Sequence, residues 1–199
     1  MEEKKDFFNI SEVTCDDLYD IALIHKEQFK SHFLGKFSVG LIRGYYESFT
    51  DNTIFLKCKD PNGCCGFILG GAERSISKGR KKFVSNYKYK IILESIFKPR
   101  IYFDVIKRIF SFISFKPIIS NHIEKDNFVI LSIAVSKINI GSGVAKKLCE
   151  EFEDRMLGQK KYGLYVMKEN LRAINFYKKI GFDIKKDIGE EYYMEKVLK

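Results

Sequence analysis

Residues Ile133 to Leu148 constrain this chain more than any other stretch. An apolar strand there runs into a turn carrying Gly141 and Gly143, and a helical pattern opens directly behind it at Val144. A strand, a glycine turn and a helix in immediate succession make a place for an anion. The first amides of a helix have no intrahelical partner, and the aligned peptide dipoles add partial positive charge at that end. Glycines at Gly141 and Gly143 let the main chain approach the anion with no side chain in the way.

About thirty residues later the chain carries Asn170-Leu171-Arg172-Ala173-Ile174-Asn175-Phe176-Tyr177-Lys178-Lys179-Ile180-Gly181-Phe182. In order and distance the two segments resemble those of the GNAT superfamily of acetyl-CoA-dependent N-acetyltransferases. There the first is the pyrophosphate-binding motif, Arg/Gln-x-x-Gly-x-Gly/Ala, and the second reads Asn-x-x-Ala-x-x-Phe-Tyr-x-x-x-Gly-Phe. Gly143 and Ala145 fill the Gly-x-Gly/Ala part, and Asn170, Ala173, Phe176, Tyr177, Gly181 and Phe182 match the second throughout. Ile140 departs from the pattern, standing where the family has Arg or Gln. That removes one polar side-chain contribution and leaves the backbone cradle. The resemblance implies a co-substrate, acetyl-CoA, contacted at Ile133, Ala134 and Val135 on the strand, at Ile140, Gly141, Ser142, Gly143, Val144 and Ala145 around the turn, and at Asn170, Ala173 and Tyr177 on the helix.

At 199 residues the chain is long enough for one sizeable core, and a single domain over 1–199 is expected. Its 45% hydrophobic and 15% aromatic content excludes a disordered chain. No apolar run reaches the roughly 18 to 20 residues that span a bilayer, and the start at Met1 is no signal peptide, so a cytoplasmic protein is expected. The five cysteines, Cys15, Cys58, Cys64, Cys65 and Cys149, show no paired metal-ligand spacing, so no metal site is expected and they read as small, mostly buried side chains. Cys64 and Cys65 are adjacent in a strand pattern and should face opposite ways.

The elements follow from local signals. Phe7 to Val13 reads as a strand, Thr14 as the cap of a helix through Ile24, and Ser38 as the cap of a second helix. Thr53 to Lys59 and Cys64 to Gly70 flank Asp60-Pro61-Asn62-Gly63, a hairpin turn. Phe128 to Val135 is an apolar strand expected to be buried on both faces. Val144 to Met156 is a helix ending near Gly158, Tyr162 to Met167 a strand, and Asn170 the cap of the next helix, with Gly181 just past its end. Ile184 to Lys186 and Tyr192 to Val197 close the chain around a turn at Asp187-Ile188-Gly189. This order is that of the GNAT fold: an α/β fold with a mixed, mostly antiparallel sheet flanked by helices.

One segment exceeds that plan. Between the third and fourth strands lies an aromatic-rich insertion, residues 72–127, in which Arg74 to Lys125 hold thirteen bases against three acids, a net +10 where the whole chain carries +9. Its apolar spacing fits amphipathic helices broken at Pro99 and Pro117. Three roles stay open: a solvated face over the sheet, a positive wall for an acidic substrate, or a peripheral contact with a membrane surface or nucleic acid.

Acetyl transfer to an amine needs a held thioester, a neutral amine, a stabilised oxyanion and a proton for the departing thiolate. Asn170, Ala173 and Tyr177 are spaced by three and four and share one helix face. A phenol of pKa about 10 is a plausible donor to a thiolate whose acid has a pKa of about 8.5. The resemblance gives Tyr177 that catalytic role. The base is not evident: the family's acidic position falls on Val129, and Glu124, Asp126, His25, His32 and His122 are the titratable groups within reach. Ile24 to Phe29, Phe33 to Phe37 and Tyr45 to Phe49 resemble a GNAT subgroup associated with amino-sugar and polysaccharide pathways. With the basic insertion, this makes the expected acceptor the primary amine of a small acidic molecule, such as a nucleotide-linked amino sugar. No nucleic-acid partner is expected. A protein, peptide or amino-acid acceptor, a non-catalytic acyl-CoA-binding domain and a homodimer remain alternatives.

Overall fold

The computed structural model describes residues 8–30, 32–49, 53–96 and 127–198. They form seven strands and five helices: β1 (Asn9–Glu12), α1 (Leu18–Gln28), α2 (Val39–Glu47), β2 (Ile54–Asp60), β3 (Gly63–Ala72), α3 (Glu73–Ile96), β4 (Phe128–Val135), α4 (Val144–Asp154), β5 (Lys161–Met167), α5 (Leu171–Lys179), β6 (Asp183–Ile188) and β7 (Glu191–Val197). All seven strands join one sheet in the order β1-β2-β3-β4-β5-β7-β6. Every neighbouring pair is antiparallel except β4 and β5.

Local chemistry explains the boundaries. Asp60 accepts from the Asn62 amide at 2.7 Å and Gly63 takes φ +122°, so the β2–β3 hairpin turns where its sequence says. The Ser38 hydroxyl accepts from the Leu41 amide at 3.2 Å and caps α2, while the Ser38 amide donates to Glu94 of α3 at 2.7 Å. That contact ties the far end of the long basic helix to the start of α2. The insertion begins as one uninterrupted helix at Glu73, because Ala72 still pairs with Phe128 on β4. Pro99 and Pro117, and the residues 97–126 around them, lie outside the described residues, as does Phe7. The closing hairpin differs from the sequence expectation: β6 runs to Ile188 and the turn falls on Gly189 and Glu190, since Gly189 supplies the positive φ of +61°.

Two cores lie on opposite faces of the sheet. On one, α1, α2 and α3 pack over Phe55, Phe67, Leu69, Val129 and Ala134. On the other, α4 and α5 cover Leu56, Ile68, Ile130, Leu164 and Met194. Cys64 packs with the first and Cys65 lies in the second, as their adjacency requires. β4 likewise serves both faces, though only Val129, Ile130 and Ala134 are fully buried.

The N-terminal end of α1 is pinned to the sheet by charge. Thr14 donates to Asp17 through its amide (2.9 Å) and hydroxyl (2.6 Å), and Asp17 pairs with buried Lys57 and, at 3.0 Å, with Lys59. Burial alone would raise the Asp17 carboxyl; the lysines and Thr14 outweigh it and hold the group well below the usual carboxylate range. A depressed folded-state pKa contributes stability that is complete above the unfolded value of 3.8 and is lost as pH falls through the folded one. The melting temperature is therefore expected to drop on acidification below about pH 4, and Asp17→Asn to flatten that part of the profile. An unchanged acid profile in the variant would assign the acid sensitivity to other carboxylates.

Candidate functional site

The glycine turn is braced from three sides. After β4 the chain makes a short 3-10 turn over Lys137–Asn139, whose first amide donates to Glu27 of α1 at 3.1 Å. Asn139 donates to Asp60 of the β2–β3 hairpin at 3.0 Å and to Ser136 at 3.1 Å, and the Ser142 hydroxyl donates to the Asn139 carbonyl at 2.7 Å. Gly141 (φ +84°) and Gly143 (φ +93°) are both left-handed, and a Cβ built on either would meet no atom of the described residues within 4 Å. The turn is therefore exposed and open on its outer side. Among the described residues no side chain caps α4, so the amides of its first turn have no intrahelical acceptor and no capping one there. These are the features of an anion cradle, and they fit a pyrophosphate. Ile140 is 43% exposed and belongs to neither core, which leaves the cradle to the backbone.

A gap opens beside the turn. β4 and β5 pair only through Phe128–Tyr162, Val129–Gly163 and Ile130–Leu164. The β3–β4 register shifts at the same level, leaving Leu131 as the extra residue of a bulge between Ile130 and Ser132. A bulge bends its strand and increases the local twist, which carries β4 away from β5. The Ser136 amide donates to Cys65 on β3 at 2.8 Å. Backbone polar groups alternate sides along a strand, so those of Val135 and Ile133 point away from β3 and into the gap.

On the far side of the gap stands α5. The Asn170 side chain accepts from the Ala173 amide at 3.1 Å and caps it. Ile133, Val135, Val144, Ala173 and Tyr177 meet in one apolar cluster, with Gly141, Ser142 and Gly143 exposed at its rim; Ala134 faces the other core. Tyr177 is buried among Phe176, Phe182 and Cys149, and its hydroxyl makes no hydrogen bond among the described residues. Burial pushes the phenol far above its ordinary value, with the Cys149 thiol adding to the rise, so the proton stays on oxygen throughout the physiological range.

Comparison with known proteins agrees with this geometry. The model of the acetyltransferase (GNAT) family matches residues 28–182. The chain belongs to the GNAT family. It is thus an acyltransferase, with acetyl-CoA as its co-substrate. Among solved structures it is similar to the PaiA N-acetyltransferase of Thermoplasma acidophilum in complex with coenzyme A, at 16% identity over 96% of this chain and 99% of that one, with a TM-score of 0.57. It is also similar to an N-acetyltransferase from Staphylococcus aureus Mu50, at 17% identity over 96% and 100%, with a TM-score of 0.62. At those identities the likeness establishes the fold. No curated protein sequence matches this chain.

The GNAT domain's titratable groups sort by environment. His25 is buried, its Nδ1 2.6 Å from the Tyr46 hydroxyl, which lies 3.1 Å from Ser132. Desolvation, with help from His32, pushes its imidazole down to about 3, too weak a base for an ammonium of pKa near 10. His32 is exposed against Phe29. Glu124, Asp126 and His122 lie outside the described residues. Val129, where the resemblance leads an acid to be expected, is 5% exposed in the α1–α3 core.

One acid escaped the sequence reading. Glu73 opens α3, and its amide donates to the Asn127 carbonyl at 2.9 Å, just ahead of β4. It escaped because it falls at the boundary of strand and insertion, with no motif around it. Arg80 follows two turns later on the same helix face and hydrogen-bonds Tyr45, so the Arg80-Lys81-Lys82 run is divided: Arg80 turns inward while Lys81 and Lys82 are exposed.

Proposed function

We propose that this GNAT domain moves an acetyl group from acetyl-CoA to the primary amine of a small acidic acceptor, such as a nucleotide-linked amino sugar. The observation that carries the transfer is the β4–β5 gap, which opens directly over the uncapped, double-glycine turn. In this proposal the amides around Gly143 hold the pyrophosphate, and the Ile133 and Val135 backbones align the pantetheine arm so that the thioester reaches the gap. Tyr177 then supplies the proton that the departing thiolate takes. The five free thiols support a reducing, cytoplasmic setting. Among the described residues no helix is long and apolar enough to cross a membrane.

Support for an acidic acceptor comes from α3, which carries seven bases against two acids and packs on β3 and β4, the latter a wall of the gap. A field of that sign concentrates anions and is screened over roughly 10 Å at 0.1 M salt. Replacing exposed Lys81 and Lys82 together by glutamine is expected to raise the acceptor KM several-fold and leave that for acetyl-CoA unchanged, with added salt mimicking the change. Thiol release from acetyl-CoA over a panel of nucleotide amino sugars, amino acids and peptides checks this. An acceptor KM insensitive to both salt and substitution would make the lysines a solvated face.

A further inference from the structure

The sheet has an unclaimed polar cluster on the α1–α3 side. Tyr162, Leu164 and Val166 of β5 face the α4–α5 core, so alternation turns Gly163, Tyr165 and Met167 to the opposite face. Tyr165 is the first β5 residue beyond the last pair with β4 and is 37% exposed. Tyr193 stands directly opposite it on β7, with ring centroids 5.2 Å apart. The Tyr193 ring lies over Gly163, where a Cβ would come within 2.4 Å of its hydroxyl oxygen, so two phenols pave the floor beside the gap. Gly71 pairs with Val129 and Val129 with Gly163, so half-buried Glu73, two residues past Gly71, starts α3 at this end of the sheet; burial raises Tyr165 to about 12, with the charge of Glu73 adding to it, and that charge adds to the rise of Tyr193 as well.

We propose that Glu73 is the base of the transfer, taking a proton from the acceptor's ammonium at the mouth of the β4–β5 gap, with Tyr165 and Tyr193 walling the place where that amine sits. This rests on the acetyl-transfer function proposed above. The ammonium gives one proton to the Glu73 carboxylate, which passes it to solvent. The freed nitrogen lone pair forms the C–N bond at the thioester carbon. As the C–S bond breaks, the nitrogen loses a second proton, balancing the one the thiolate takes by way of Tyr177.

The surroundings favour Glu73 over the other carboxylates of that face. Glu195 is engaged by Lys161 at 3.4 Å and by the Tyr193 hydroxyl at 3.4 Å. Glu191 pairs in register with Met167 at the strand end and adds its charge at Tyr165. Glu73 is opposed by Arg80, itself bonded to Tyr45, yet burial outweighs the guanidinium and lifts the carboxyl above its ordinary value. A carboxylate raised in this way is a better match to an amine's proton than an exposed one.

The test compares wild type with Glu73→Gln, which keeps shape and removes the basic oxygen, using thiol release at saturating acetyl-CoA from pH 6 to 9. The probes are acidic alkyl amines, ammonium at neutral pH, and aryl amines of the same charge, already neutral there. For the alkyl amines kcat is expected to fall by about 10²-fold or more at pH 7 and to recover as pH rises. For aryl amines it should change little, and calorimetric CoA affinity and melting temperature should match wild type. Glu73→Asp should retain part of the alkyl-amine rate. Equal losses over all amines and all pH values, or no loss at all, would overturn the assignment to Glu73 while leaving acetyl transfer standing. Wild-type protein that binds CoA but releases no thiol with any amine would overturn both.

Discussion

Tyr177→Phe is expected to lower kcat by about 10²-fold or more while CoA affinity and melting temperature stay near wild type. The substitution removes one oxygen from a ring that packs against Phe176 and Phe182 at centroid distances of 5.4 and 5.6 Å, contacts a phenylalanine keeps. The hydroxyl has no hydrogen bond among the described residues, so its removal breaks no bond there and leaves no partner unsatisfied. Stability therefore separates a packing role from a chemical one. A buried phenol whose pKa is raised keeps its proton at every working pH, so loss of that proton should not appear as an alkaline limb below pH 10 in the wild-type profile. Steady-state kinetics together with calorimetry check both parts. Full turnover in the variant would leave Tyr177 as a core aromatic and place the thiolate's proton elsewhere.

How far the sequence carried the structure depends on how local each signal was. The Ser38 and Asn170 caps, the Asp60 turn and the glycine past the end of α5, Gly181 at φ +99°, are each decided within a few residues, and all stand where the sequence placed them. The separation of β4 from β5 is not decided within either strand. Its physical cause, the bulged Leu131, depends on the register of β4 against β3 and has no signature within β4 itself. The Asp17–Lys57 pair joins residues forty positions apart, and the approach of Glu73 to Tyr165 spans the whole insertion. Charge counting met the same limit: the run Arg80-Lys81-Lys82 reads as one basic cluster, but helical geometry sends its first member inward to Tyr45 and Glu73. His25 was a candidate base by type and by place; its burial against Tyr46, visible only in the fold, removes it.

Gly143→Val should abolish measurable CoA binding or weaken it by at least about tenfold, while the fold persists. Gly143 sits at φ +93° as the residue that opens α4, a conformation costing an L-residue about 1–2 kcal/mol and a β-branched one more. Among the described residues nothing lies within 4 Å of a Cβ built there, so no core contact is displaced and the penalty stays in the turn. The backbone can relieve that strain only by rotating the peptides at the start of α4, which turns the amides of Val144 and Ala145 away from a shared anion. The added side chain also projects into the open side, where the pyrophosphate belongs. Gly158→Val provides the control: φ there is +76° and a Cβ again meets nothing within 4 Å, but the residue lies past the opposite end of α4. The two variants should lose comparable stability in a thermal melt and differ in calorimetric CoA affinity. If Gly143→Val binds CoA as tightly as Gly158→Val does, the anion is not held by this turn, and the place of the pyrophosphate in the proposed site is wrong.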